Sequence, residues 1–240
     1  MRILGVIPAR GGSKGVPRKN LRPLCGKPLL AWTAETALAA PRLARVLLST
    51  DDEEIAALGR ELGLDVPFLR PAELAGDATP TLPVVQHAVR FLQDRGETFD
   101  AVCLLQPTSP CRPPSLIENC VELLAQRDAD SVITVLPIPA HHHPYWAYVM
   151  TPGGQLRLAC GAAEPVSRRQ DLPPAYHRDG SVYLTRTRIL MEENSFYGRT
   201  IVGYEVEARY AVNIDEPADW ERAEQTLAEF LRLRAAVSPG

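Results

Sequence analysis

Long apolar runs are missing from this chain. They are as short as Val102-Cys103-Leu104-Leu105, against the roughly 20 apolar residues that a membrane span needs. The first residues lack the charged start, apolar stretch and small-residue cleavage site of a secretory leader. The five cysteines (Cys25, Cys103, Cys111, Cys120, Cys160) form no CxxC pair. A scattered, odd set fits reduced thiols and a cytoplasmic protein without a membrane partner. Internal repeats, low-complexity tracts and flexible linkers are lacking too.

Lysine is scarce: Lys14, Lys19 and Lys27 stand against 23 arginines. The first 34 residues contain no acid and seven cations, so the remainder carries −10 within a chain of net charge −3. A nucleic-acid-binding surface spreads its positive charge along a face and interleaves aromatic residues. Here the charge sits in one short segment, which suits a compact anion such as a phosphate chain and argues against a nucleic-acid partner. Lysine persists where a flexible, compact ammonium is useful.

What remains is enough for a sizeable core: 240 residues with 45% apolar content, read as one domain with an insertion. Strands are expected at Ile3–Pro8, Arg45–Ser49, Val66–Leu69, Ala101–Leu105 and Ser131–Leu136. Helices are expected at Leu29–Ala40, Asp51–Leu62, Thr81–Asp94 and Pro113–Gln126. This alternation implies an α/β fold with a parallel sheet and helices on both faces. Residues from 137 to about 180 are rich in proline, contain His141-His142-His143 and lack a helical stripe, as an insertion does. Strand character resumes at Val182–Thr185 and Thr200–Val206, and a last helix follows at Pro217–Arg234.

The segment Ile7–Asn20, IPARGGSKGVPRKN, follows the first expected strand. Nucleotide sites in open α/β sheets lie at the carboxyl ends of strands. Gly11, Gly12 and Gly15 permit tight turns whose N–H groups face an anion, and Arg10, Lys14 and Lys19 supply charge. The patterns GxxxxGK[ST] and GxGxxG are both absent. Pro17 interrupts any helix starting at the loop, so an extended wrap around phosphates is expected.

PARGGSKGVPRKN resembles the opening signature of the acylneuraminate cytidylyltransferases, also called CMP-sialic acid synthetases. Further similar segments follow in order: STDDEEIA (Ser49–Ala56), FLRPAELA (Phe68–Ala75), LLQPTSP (Leu104–Pro110), RRQDLP (Arg168–Pro173), DGSVYLT (Asp179–Thr185) and NIDEPADW (Asn213–Trp220). HHPYW and RRQDLP look most like the branch that handles bacterial nonulosonic acids such as legionaminic acid. The resemblance implies a Rossmann-like, mainly parallel sheet of the nucleotide-diphospho-sugar transferase type. It also implies that the insertion is a dimerisation segment and the protein a homodimer.

The implied reaction joins CTP to a 2-keto sugar acid with release of pyrophosphate and needs Mg²⁺. By resemblance, Arg10, Gly11, Gly12, Ser13, Lys14 and Lys19 hold the phosphates, and Lys19 is the transition-state cation. Asn20 and Arg70 fix the nucleotide, and Thr81 supplies a nearby hydroxyl. Asp215 matches a metal ligand, although a residue just before Pro217 is equally suited to cap the last helix. Arg10, Lys19 and Asp215 make up the implied catalytic set.

Many relatives have aspartate where this chain has Asn213, so a metal site of Asp215 and Asn213 is short of one charge. Gln106, Arg169, Tyr183, Phe196 and Tyr197 match sugar-acid positions. Trp146 replaces a lysine of sialic-acid-specific relatives and suggests an apolar contact to a deoxy or doubly N-acylated sugar. The His triplet lacks a cysteine partner and is read as a polar loop rather than a zinc site. Two rival readings stay open. One is a nucleotidyltransferase of the same fold with another base or acceptor, including GTP-using, phosphonate and Kdo-activating types. The other is a nucleotide-binding protein that has lost catalysis.

Overall fold

The protein is described by a computed structural model covering residues 1–237. Its centre is a six-stranded sheet of β1 (Ile3–Pro8), β2 (Leu43–Ser49), β3 (Ala101–Leu104), β4 (Ser131–Pro137), β5 (Tyr176–Arg186) and β6 (Ile201–Glu205). The spatial order is β6-β4-β5-β3-β1-β2. β1 pairs in parallel with β2 and β3, and β6 pairs in parallel with β4. β5 runs antiparallel to both of its neighbours. The expected α/β, mainly parallel sheet is therefore present.

β1 shows why its residues make a central strand. Ile3 and Ile7 pack on one face while Leu4 and Val6 pack on the other. A strand covered on both sides needs a continuous apolar run rather than an alternating one. The first face is covered by α1 (Leu29–Leu38), α2 (Glu53–Glu61) and α4 (Leu116–Gln126), through residues such as Leu30, Ile55 and Ile117. The second is covered by α3 (Thr81–Gln93) and α5 (Thr187–Glu192), through residues such as Val85 and Leu190. The Asp52 carboxylate accepts from Glu54 N and Ile55 N and starts α2, as its expected acidic first turn requires.

A third cluster decides where the site sits. α6 (Pro217–Val237) packs Trp220, Ala223 and Leu227 against Val16, Leu24, Leu29 and Ile214. Val16 is the apolar anchor of the glycine-rich segment, and burying it is worth about 1.5–3 kcal/mol. The long carboxyl-terminal helix thus backs the loop that follows β1.

Three expectations need correction. Val66–Leu69 is not a strand: the parallel edge ends in a single bridge between Leu47 and Asp65. Pro67 has no N–H to continue the ladder. The strand expected at Val182–Thr185 begins earlier, because β5 starts at Tyr176, and the insertion ends before residue 180. α5 was not anticipated, since six residues give too short a periodic stripe.

Between β4 and β5 the chain forms an arm. It contains short 3₁₀ turns at Ala140–His142 and Arg169–Asp171 and an antiparallel hairpin of Tyr148–Met150 with Leu156–Leu158. Tyr148, Val149, Met150 and Leu156 are exposed on that hairpin. No helix among the described residues is long and apolar enough to cross a membrane.

Candidate active site

A cleft of about 320 Å³ opens at the carboxyl ends of β1, β2 and β3. Its walls include Arg10, Ser13, Lys19 and Asn20 from the loop after β1, and Arg70 from the segment after β2. Thr81 comes from the start of α3, Gln106 from the turn after β3, and Asp215 from the approach to α6. Eight residues singled out in the sequence therefore meet in one place, at the position an open α/β sheet reserves for a ligand.

The loop after β1 is held by its own bonds. Asn20 is buried and its amide donates to Arg10 O at 3.1 Å. Gly11 N–H donates to Asp51 Oδ1 at 3.1 Å, which ties the loop to the end of β2. At Gly15 the loop passes so near the carboxyl-terminal segment that a Cβ would lie 2.0 Å from Asp215 O. Only glycine tolerates that approach.

Lys19 occupies the centre. Its Nζ donates to Ile214 O at 2.8 Å and stands 3.9 Å from Asp215 Oδ1. Burial pushes its pKa down, Asp215 pulls it back up, and Arg10 lowers it further. A cation with so little water around it acts strongly on any anion that enters. Arg70 is latched to the end of β2: its N–H donates to Thr50 O at 2.7 Å, its Nε to Ser49 Oγ at 3.1 Å, and its guanidinium also to Ser49 O. Burial lowers its pKa as well, Asp51 opposes this and Arg10 adds to it.

Asn213 and Asp215 are in contact, the Asn213 amide donating to the Asp215 carboxylate. The cap of α6 is not Asp215. Asp219 reaches back to accept from Asp215 N at 2.9 Å and Glu216 N at 2.8 Å. The Asp215 side chain is two-thirds exposed and remains available to a ligand. Among the described residues no cluster of three or more His, Cys, Asp or Glu is placed to hold a metal. The donor set fits a hard cation that takes one carboxylate, an amide oxygen, waters and phosphate oxygens, as Mg²⁺ does.

Other expected residues lie elsewhere. Lys14 and Gly12 are not in the cleft wall; Lys14 pairs with Asp77, which is. Tyr183 and Phe196 pack together with centroids 6.3 Å apart, and Tyr197 Oη accepts from Arg178 Nη1 at 2.8 Å. This aromatic wall stands outside the cleft lining, with Tyr183 on β5, the strand that also carries Arg178. Arg169 is in the arm and lines a separate groove with His143 and Tyr176. Trp146 donates its indole N–H to Val166 O, bracing the arm. His143 is buried, accepts Tyr145 N–H on Nδ1 and bonds Pro173 O through Nε2 at 2.8 Å, so it is structural.

The sequence reading missed Asp77, Thr79 and Thr108 in the cleft and Arg112 beneath it. Thr108 lies inside the quoted LLQPTSP segment, which was the available signal. Asp77 carried none beyond its acidity.

The chain matches the family model described as Cytidylyltransferase over residues 4–234. It is 36% identical over 234 residues to the CMP-N,N'-diacetyllegionaminic acid synthase of Legionella pneumophila, covering 95% of this chain and 97% of that one. It is 33% identical over 199 residues to the pseudaminic acid cytidylyltransferase of Campylobacter jejuni, covering 82% and 84%. In three dimensions it is similar to a CMP:2-keto-3-deoxy-manno-octonic acid synthetase complexed with CTP. That likeness has a TM-score of 0.70 at 20% identity and covers 95% of this chain and 99% of that one, which shows the fold.

Proposed function

Because the chain belongs to the cytidylyltransferase family, we propose that it transfers CMP from CTP to the anomeric hydroxyl of a nonulosonic acid and releases pyrophosphate. The observation that carries this reading is the single cleft in which Arg10, Lys19, Arg70, Gln106 and Asp215 converge.

In this reaction the anomeric oxygen bonds to the α-phosphorus as the bond to pyrophosphate breaks. Charge grows on the phosphate oxygens, and fixed cations in a dry site stabilise it without reorganising. Lys19, clamped by Ile214 O, serves the α-phosphate; Arg10, Ser13, Lys14 and the loop amides serve the outer phosphates. Asn20, Arg70 and Thr81 hold the nucleoside end. Gln106 faces the acceptor, with Tyr183, Phe196 and Tyr197 forming the apolar wall for its acyl group. Asp215 and the side-chain oxygen of Asn213 would hold Mg²⁺, which would supply charge neutralisation on the phosphates.

The enzyme works as a homodimer in the cytoplasm. The exposed apolar hairpin of the arm meets a second copy, and Arg169, which lines a groove separate from its own cleft, serves the partner's. The five free cysteines fit a reducing compartment.

The test is pyrophosphate release in the presence of Mg²⁺, with CTP or GTP against N-acetylneuraminic, legionaminic and pseudaminic acids. Release with CTP and one acid is expected. Release only with GTP, or with no acid despite a folded protein, overturns the reading.

A further inference from the structure

Arg112 is among the largest fully buried side chains, 1% exposed. Its bonding partners are neutral. Nε donates to Ser181 O at 2.8 Å, Nη1 to Thr33 Oγ1 at 2.7 Å, and Nη2 to Gln106 O. Burial lowers its pKa to about 10, with Asp179 opposing, so it is still a cation at neutral pH. Placing a charge in the interior costs several kcal/mol unless its hydrogen bonds are well met. Filling the space alone would be served better by an apolar side chain.

The three acceptors explain the cation. They belong to β5, α1 and the turn after β3, and the third is the carbonyl of Gln106 itself. The chain from Gln106 to Arg112 therefore closes on its own guanidinium. Ser109 N–H also donates to Gln106 O at 3.2 Å, and Arg112 N–H to Pro110 O at 3.0 Å. Within this closed turn, Thr108 O accepts Ile214 N–H at 2.9 Å. Ile214 O in turn holds Lys19 Nζ at 2.8 Å. One buried fork thus anchors the turn that carries Gln106 and braces the segment that holds Lys19.

We propose that Arg112 is a positioning residue that fixes the Gln106–Thr108 turn and so sets the acceptor-binding geometry of the cleft. The role of Gln106 toward the acceptor rests on the function proposed above. Arg112 touches no substrate and acts through Gln106. Lysine cannot replace it, because one ammonium does not reach three acceptors in a planar fork.

The test compares Arg112→Lys, Gln106→Ala and the double variant with the wild-type protein. Arg112→Lys is expected to raise the acceptor KM about tenfold or more, since small misplacements of a positioning group are costly. The melting temperature should fall as well, because an ammonium leaves buried acceptors unmet, while the CTP Kd should rise by a clearly smaller factor than the acceptor KM. Gln106→Ala should give a similar rise and the double variant no further one, because the two residues act through one contact. Multiplying effects overturn the proposal, as does a loss of CTP binding as large as the rise in acceptor KM.

Amide exchange by mass spectrometry reads the same anchor without any substrate. In Arg112→Lys, protection should fall across residues 105–110 and persist in β1. Unchanged protection there overturns the proposal. If the wild-type protein turned over no acceptor, the functional reading would fail while the exchange result still decided the role of Arg112.

Discussion

Lys14 is paired with Asp77, its ammonium 2.6 Å from Oδ2, and Arg10 approaches the other carboxylate oxygen at 3.0 Å. Arg10 Nη1 also donates to Gly76 O at 3.2 Å. The bond from Lys14 holds the Asp77 carboxyl below the usual carboxylate range. An acid of the protein thus stands on two cations assigned to the triphosphate. Asp77→Asn should tighten metal-free CTP binding about two- to fivefold, the range of an exposed ion pair. Titration calorimetry checks this, and weaker binding would show that Asp77 aids the nucleotide.

The Asn213 amide touches the Asp215 carboxylate but would bring no charge to the proposed metal site. The wild-type enzyme should therefore need unusually high free Mg²⁺. Asn213→Asp should lower half-saturating Mg²⁺ several-fold, as a second carboxylate strengthens a hard-cation site. Velocity against free Mg²⁺ decides it, and saturation of the wild type at micromolar Mg²⁺ counts against the idea.

Gly15→Ala places a methyl group 2.0 Å from Asp215 O, inside contact distance. The loop, which carries Lys19, and the segment that carries Asp215 must separate. Turnover should fall about a hundredfold, the scale of a 1 Å misplacement. Circular dichroism should show an intact fold, since the apolar layers covering the two faces of the sheet contain neither Gly15 nor Val16.

Val149 and Met150 are 61% and 66% exposed on the arm hairpin. Val149→Asp with Met150→Asp should convert a dimer to monomers in sedimentation and reduce acceptor turnover about tenfold or more, as loss of an interface anchor does. A fully active monomer refutes the shared site.

Asp130 accepts from Arg199 N at 2.9 Å and Thr200 N at 3.0 Å, and Arg188 pairs with it. The two N–H groups hold its carboxyl below the usual range. The folded state then binds this proton less readily than the unfolded one. The stabilisation is present above the ordinary carboxylate pKa and is lost as pH falls through the lowered value. Asp130→Asn should lower the melting temperature at neutral pH and flatten its decline between about pH 5 and 2. An unchanged slope would show that the carboxylate is not linked to folding.

Much of the cleft was legible because chemistry and chain position coincide in the loop after β1. Apolar residues fix that strand, and cations and glycines follow it directly. The antiparallel course of β5 was not legible. Its apolar run matches a strand of either direction, and only pairing with β3 and β4 settles it. Arg112 looked like one more arginine among 23, since burial of its guanidinium depends on three acceptors that are distant or folded back in space. Asp77 was silent for the same reason: its partners lie more than 60 residues away along the chain. The proline-rich stretch from Pro67 to Pro71 showed how a run of strand formers fails when a ladder donor is missing.

The base of the arm is closed. Pro137 sits opposite Tyr176 in the sheet, and Ile138 N–H donates to Ala175 O at 2.8 Å. Both ends of the arm therefore leave the sheet from one point, like a loop of thread held by a knot. What lies between can be lengthened, shortened or exchanged without shifting the register of β4 on β5. An arm moved as this one contiguous piece would carry Arg169 and the apolar hairpin with it and leave Arg10, Lys19, Arg70, Gln106 and Asp215 where they are.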